Sequence, residues 1–165
     1  MTPTADLWLH EGPWADQLAT PTGHPAWRSL DGVVLRAYRA AAAPGWTPLR
    51  PLKALQGASW GALATYHYVV ETDIDPENVV EFNAWYDREH LPGLAAVPGT
   101  VRAARYQRAA SPRFVACYDL TSPGALERPE WLAVRGTEWS SWVRPMFRNT
   151  RRTMFSAVRV RWPDG

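Results

Sequence analysis

Two segments of this 165-residue chain are apolar on both faces of an extended backbone, and that limits the folds open to it more than any other feature. Residues 63–71 (LATYHYVVE) are rich in β-branched and aromatic side chains, which favour a strand. Along them Tyr66, Tyr68 and Val70 point one way, while Val69, with Thr65 and His67, points the other. Residues 113–120 (RFVACYDL) repeat the pattern, with Phe114, Ala116 and Tyr118 opposite Val115 and Cys117. A sheet covered by helices on one side and wet on the other should alternate apolar and polar residues. The missing alternation calls for a second layer over the far face.

The neighbouring elements follow the order β-α-β-β-α-β. Asp75-Pro76-Glu77 reads as a helix start, with an acidic N-cap, proline at the first helical position and a carboxylate against the helix dipole. That helix is predicted to run to about His90, to bury Val79, Phe82 and Tyr86, and to stop at Pro92-Gly93. Residues 100–108 form a strand paired with 113–120. Pro129 to about Arg148 is helical, broken near Gly136-Thr137, with Leu132, Trp139, Val143 and Phe147 inward. Residues 152–162 form the last strand. The fold class is therefore α+β, a ferredoxin-like βαββαβ unit with an antiparallel sheet.

The covering layer is either a second copy, giving a dimer with a barrel-like interior, or the N-terminal segment. Residues 1–60 read as an N-terminal extension, in which the Pro/Gly/Ala-rich stretch 41–60 is a connection. Residues 61–165 are the folded unit. Trp8-Leu9-His10-Glu11 and residues 30–41 loosely echo residues 85–88 and 97–110, a degenerate repeat or a coincidence in an Ala/Arg/Trp-rich chain.

Ten tryptophans exceed what one small core absorbs, so some should line a cavity or an interface. The net charge of +2 is too small for sequence-independent nucleic-acid binding. Lys53 is the only lysine, and Arg144, Arg148, Arg151, Arg152, Arg159 and Arg161 crowd the C-terminal end. Glu71, Asp73, Asp75, Glu77, Glu81, Asp87 and Glu89 crowd 71–89. These groups either pair with each other or leave arginines for an anion. Cys117 is the single cysteine, which fits a reducing compartment. The first residues lack a basic stretch followed by an apolar run, so no signal peptide is expected, and no apolar run approaches ~18 residues. The expectation is a cytoplasmic protein that does not engage membranes.

Phe82, Trp85, Tyr86, His90 and Pro92, followed by Val97-Pro98-Gly99 and Arg105-Tyr106, resemble the signature of the EthD-like branch of the dimeric α/β-barrel superfamily. The resemblance covers about residues 62–162. It implies ferredoxin-like subunits paired as a homodimer, with a small-molecule pocket between sheet and helices. Its members include lactone isomerases, polyketide cyclases, cofactor-free monooxygenases and haem-handling proteins, so the fold alone selects no reaction.

His90 is the candidate catalytic residue, an acid/base whose tautomer Asp87 or Glu89 would hold. The competing reading makes it a helix C-terminal residue bonded to backbone. Asn83, Trp85, Tyr86, Tyr106, Trp139 and His67 are the candidate substrate-binding residues, each with a plain packing or solvated alternative. His67 would look into the barrel, where it could meet substrate or haem iron. Cys117 reads as an inert buried thiol. His10 and His24 lie in the N-terminal segment, and no two histidines have metal-ligand spacing. The expected protein is a cofactor-independent enzyme acting on a small apolar, aromatic or polyketide-like molecule. The alternative is a non-catalytic dimer binding an apolar ligand or haem.

Overall fold

The computed structural model describes residues 7–13 and 26–158. Its strands are β1 (Leu7–Pro13), β2 (Ala26–Ser29), β3 (Val34–Arg39), β4 (Thr47–Gln56), β5 (Tyr66–Ile74), β6 (Thr100–Gln107), β7 (Phe114–Leu120) and β8 (Phe147–Val158). All pair antiparallel and close a barrel in the order β1-β3-β2-β8-β5-β7-β6-β4. The face that required a cover is covered by the chain's own β1–β4. Val69, Val115, Cys117 and Phe155 from one half pack with Leu9 and Leu49 from the other, and Trp27, Val34 and Tyr38 join them. Closing the barrel requires no second copy.

The stretch expected to be a connection, 41–60, instead contains β4. Prolines hid it. Pro48 lies opposite Trp8 of β1, and Pro51 lies opposite Tyr106 of β6, where the ladder is irregular before Lys53. A strand that changes partner and breaks its ladder tolerates residues without an N–H. The two halves share one strand order, β4-β1-β3-β2 and β8-β5-β7-β6. The residue echo does not follow that correspondence, because Trp8 is in a strand and Trp85 in a helix.

Helices α1 (Val79–Trp85), α2 (Leu91–Ala95), α3 (Pro129–Arg135) and α4 (Glu138–Val143) cover the outer face of β5–β7, burying Phe82, Trp85, Leu94 and Trp131 with Val70, Ala116 and Tyr118. The first helix does not stop at Pro92-Gly93. One π-helical turn, Tyr86–His90, carries it into α2, where Pro92 falls in the first turn. There a missing N–H costs least. Gly93 lets α3 approach, since a Cβ on it would lie 3.0 Å from both Val134 methyls.

The break at Gly136-Thr137 is present, and Thr137 Oγ1 caps α4 by accepting from Ser140 N at 3.0 Å. Leu132, expected inward, is 50% exposed, and Trp131 is 1% exposed. The helix presents Trp131 to the sheet because its ring meets Tyr118 and Tyr68 edge-on, at 5.3 and 6.2 Å. β8 begins at Phe147 rather than 152, and residues 159–162 of the expected strand lie outside the described residues. Among the described residues, no helix is long and apolar enough to cross a membrane.

Candidate functional site

His90 sits in the π turn, mid-helix rather than at a helix end, and is 7% exposed. Its ring stacks on Trp85 at 4.1 Å and meets Tyr86 edge-on at 5.3 Å. Neither carboxylate offered by the sequence holds it. Asp87 Oδ1 accepts from Arg105 Nη1 at 3.1 Å, and Glu89 Oε1 accepts from Thr137 Oγ1 at 2.5 Å. His90 Nδ1 is buried without a hydrogen-bond partner, and so is Tyr118 Oη.

Both side chains line a cleft of about 30 Å³ between sheet and helices, walled by Tyr68, Trp85, Tyr86 and Trp131 and rimmed by Arg135, Arg144 and Arg152. That is room for roughly one water. Among the described residues, Arg135 and Arg144 make no side-chain hydrogen bond or ion pair, and Arg152 only overlies Phe147 at 6.0 Å. Burial, then the charges of Arg135 and Arg152, lowers the pKa of Arg144. Burial, then Arg144, Arg135 and Arg105, lowers that of His90 to about 3. The imidazole is neutral at any ordinary pH.

The other arginines of the C-terminal crowd are spent on ion pairs. Arg148 meets Asp75 at 3.6 Å. Arg151 and Arg108 reach the buried Glu71 at 3.0 Å, where Arg36 Nη2 also binds at 2.5 Å. Arg36 also pairs with Glu11, so these side chains tie one end of the barrel interior together. Arg159 and Arg161 lie outside the described residues.

The other end of the interior holds a second cluster. His67 Nδ1 is 2.7 Å from Asp119 Oδ1, its Nε2 is 2.8 Å from Tyr38 Oη, and Trp27 stacks on the ring at 4.9 Å. Burial opposes the charge on His67, but the neighbouring Cys117 and Asp119 outweigh it and raise its pKa to about 9. Leu7, Trp27, Tyr38, His67, Arg102, Tyr106, Cys117 and Asp119 line an open cavity of about 260 Å³.

The structure thus brings Trp85, Tyr86 and His90 together in the cleft and places His67 and Tyr106 in the barrel interior. Adjacent strand residues face opposite sides of a sheet, which separates His67 from Tyr68 and Tyr106 from Arg105. Asn83 and Trp139 line neither space. Asn83 Oδ1 accepts from Arg105 Nη2 at 2.7 Å, and Trp139 Nε1 donates to Glu81 Oε1 at 2.6 Å. Sequence reasoning missed Arg135 and Tyr118 as cleft residues. Tyr118 had a signal, since strand pairing puts it directly across from Tyr68.

This architecture is the ferredoxin-like α+β fold with an antiparallel sheet. The chain is similar to a ferredoxin-fold protein related to antibiotic biosynthesis monooxygenases from Listeria monocytogenes, with a TM-score of 0.65 at 12% identity over 94% of this chain and 95% of that one. It is also similar to a haem-degrading enzyme from L. monocytogenes, with a TM-score of 0.63 at 12% identity over 92% and 98%. A monooxygenase-like protein from Listeria innocua gives 0.65 at 10% identity over 94% and 95%. At such identities the likeness is one of fold, and it takes in the N-terminal strands as well. No family model matches the chain, and no curated protein matches it.

Proposed function

We propose that the cleft binds a small oxygenated aromatic anion and that His90 moves a proton on it, making the protein a cofactor-independent enzyme of the isomerase, cyclase or monooxygenase type. The observation that carries this reading is the set of three arginines, without a carboxylate among them, over two buried polar atoms that lack partners. Buried polar groups are nearly always paired, so two unpaired atoms in one cleft call for a partner there. An anion at the rim would meet Arg135 and Arg144, its ring would lie against Trp85 and Trp131, and its second oxygen would reach His90 and Tyr118.

Binding also prepares the base. Burial and the arginines keep the empty site's imidazole neutral. An anion offsets the arginines' field, so the proton affinity of His90 rises once substrate is present. Space comes from the rim, where Arg152 is exposed and Arg135 and Arg144 are half-buried, free to swing outward. A porphyrin, several times the size of one aromatic ring, would need more than the rim arginines to move, because the His90 ring already lies on Trp85 at 4.1 Å. The EthD-like resemblance supports the same reading, because Trp85, Tyr86 and His90 all line the cleft.

The test is solvent-deuterium exchange at the acetyl carbon of aromatic keto acids such as 3-acetylbenzoate, followed by proton NMR. Wild type should exceed His90→Ala by about 10²-fold or more, the usual range for a positioned general base. Arg135→Leu/Arg144→Leu should weaken binding of the same acids. Equal exchange in wild type and His90→Ala would overturn the assignment.

A further inference from the structure

We infer that the barrel interior holds a second binding site, for a small organic monocarboxylate with an apolar body, received by Arg102 and Tyr38. This site lies on the opposite face of the sheet from His90 and rests on none of the residues of the first. The cavity of about 260 Å³ is just below the ~300–1,000 Å³ of drug-sized ligand pockets, and it suits a molecule the size of benzoate.

The charges select an anion. Arg102 makes no ion pair among the described residues, and both its terminal nitrogens donate to the same acceptor, Tyr106 Oη, at 3.3 Å. Its fork therefore has N–H groups to spare for a carboxylate. The one carboxylate on the wall, Asp119, is engaged by His67 at 2.7 Å. A protonated His67 balances the carboxylate it holds, which leaves Arg102 as the cation of the wall without an ion-pair partner.

The Asp119–His67–Tyr38 chain sets the second contact. A protonated His67 donates Nδ1–H to Asp119 and Nε2–H to Tyr38 Oη, leaving the Tyr38 hydroxyl proton to Cys117 Sγ, a weak acceptor that an incoming carboxylate displaces. Donation to a neutral phenol oxygen from a cationic ring makes that hydroxyl a stronger donor in turn. One guanidinium and one phenol match the two oxygens of a carboxylate, whereas a phosphate would leave acceptors unmet. Leu7, Trp27 and Cys117 supply apolar walls for the remainder.

The test is titration of the full chain with benzoate, monitored through imidazole ¹⁵N resonances, because His67 reports the interior and His90 the cleft. The His67 resonances should shift saturably. In Arg102→Leu the midpoint should move roughly tenfold or more to weaker binding, while the Arg135→Leu/Arg144→Leu variant should leave the His67 response intact. Tyr38→Phe should weaken it less than Arg102→Leu does. If Arg102→Leu does not fold, the wild-type His67 response and Arg102→Lys, which keeps the charge but loses the fork, decide the matter. His67 resonances unmoved by saturating benzoate, or moved with one midpoint in wild type and Arg102→Leu, would overturn this site whatever His90 does. A silent His90 beside a responsive His67 would instead count against the cleft.

Discussion

His90 and His67 are both buried, yet their surroundings push them to opposite protonation states. His90 binds a proton in the unfolded chain near pH 6.5 but in the folded chain only near 3, so its share of stability is complete above 6.5 and is lost as pH falls. His67 is the reverse. Its share is complete below 6.5 and is lost as pH rises through about 9. Their opposing contributions peak together near pH 6.5. Between 6.5 and 4.5 the His90 share should fall by roughly 2–3 kcal/mol, and His90→Phe should flatten that limb. Melting temperature against pH, followed by circular dichroism, measures it; parallel curves for the two proteins would contradict the assignment. At this scale the sequence was legible in part. Trp85, Tyr86 and His90 share a helix and so stay together, and alternation along β5 turned His67 toward the barrel interior, whereas Tyr106 was grouped with Trp85 without regard to which face of β6 it occupies.

Among the elements, glycine positions separate two kinds of close approach. Gly57 N–H donates to Val101 O at 2.8 Å just after β4, and a Cβ there would lie 2.0 Å from Thr100 O. Backbone cannot give way as a side chain can. Gly57→Ala should cost about 1–3 kcal/mol or more. Gly93→Ala meets only the Val134 methyls at 3.0 Å and gains up to ~1 kcal/mol of helix propensity, so it should be nearly neutral. Chemical denaturation of both variants tests the contrast, and equal losses would refute it. Pro92-Gly93 was legible as a helix stop only because local chemistry was the whole of the signal. The π turn before it and the α3 contact beside it reverse that reading, and both depend on packing partners about forty residues away.

For the whole molecule, the doubly apolar strands stated correctly that a cover exists, but its source was not legible. β2 has four residues and β4 is interrupted by Pro48 and Pro51, so neither carries the periodicity by which strands are recognised. The barrel makes a direct prediction. A fragment of residues 61–165 would expose Val69, Val115, Cys117 and Phe155 and deprive Glu71 of Arg36. It should self-associate or precipitate, and a monomer of native spectrum by light scattering and circular dichroism would contradict the interdependence of the halves.

The ion cluster around Glu71 depends on the two halves being different. Were the barrel assembled from identical copies about a two-fold axis, each interior position would be reproduced across the axis, and an acid on one half would reappear on the other. Joined in one chain, the halves escape that symmetry. β5 carries Glu71 while the opposing strands carry Arg36 on β3 and Glu11 on β1, a pairing that no self-complementary interface is obliged to find. Each substitution is then made once, and the helix-bearing half is free to remodel its cleft while the other closes the barrel and lends Leu7, Trp27 and Tyr38 to its interior.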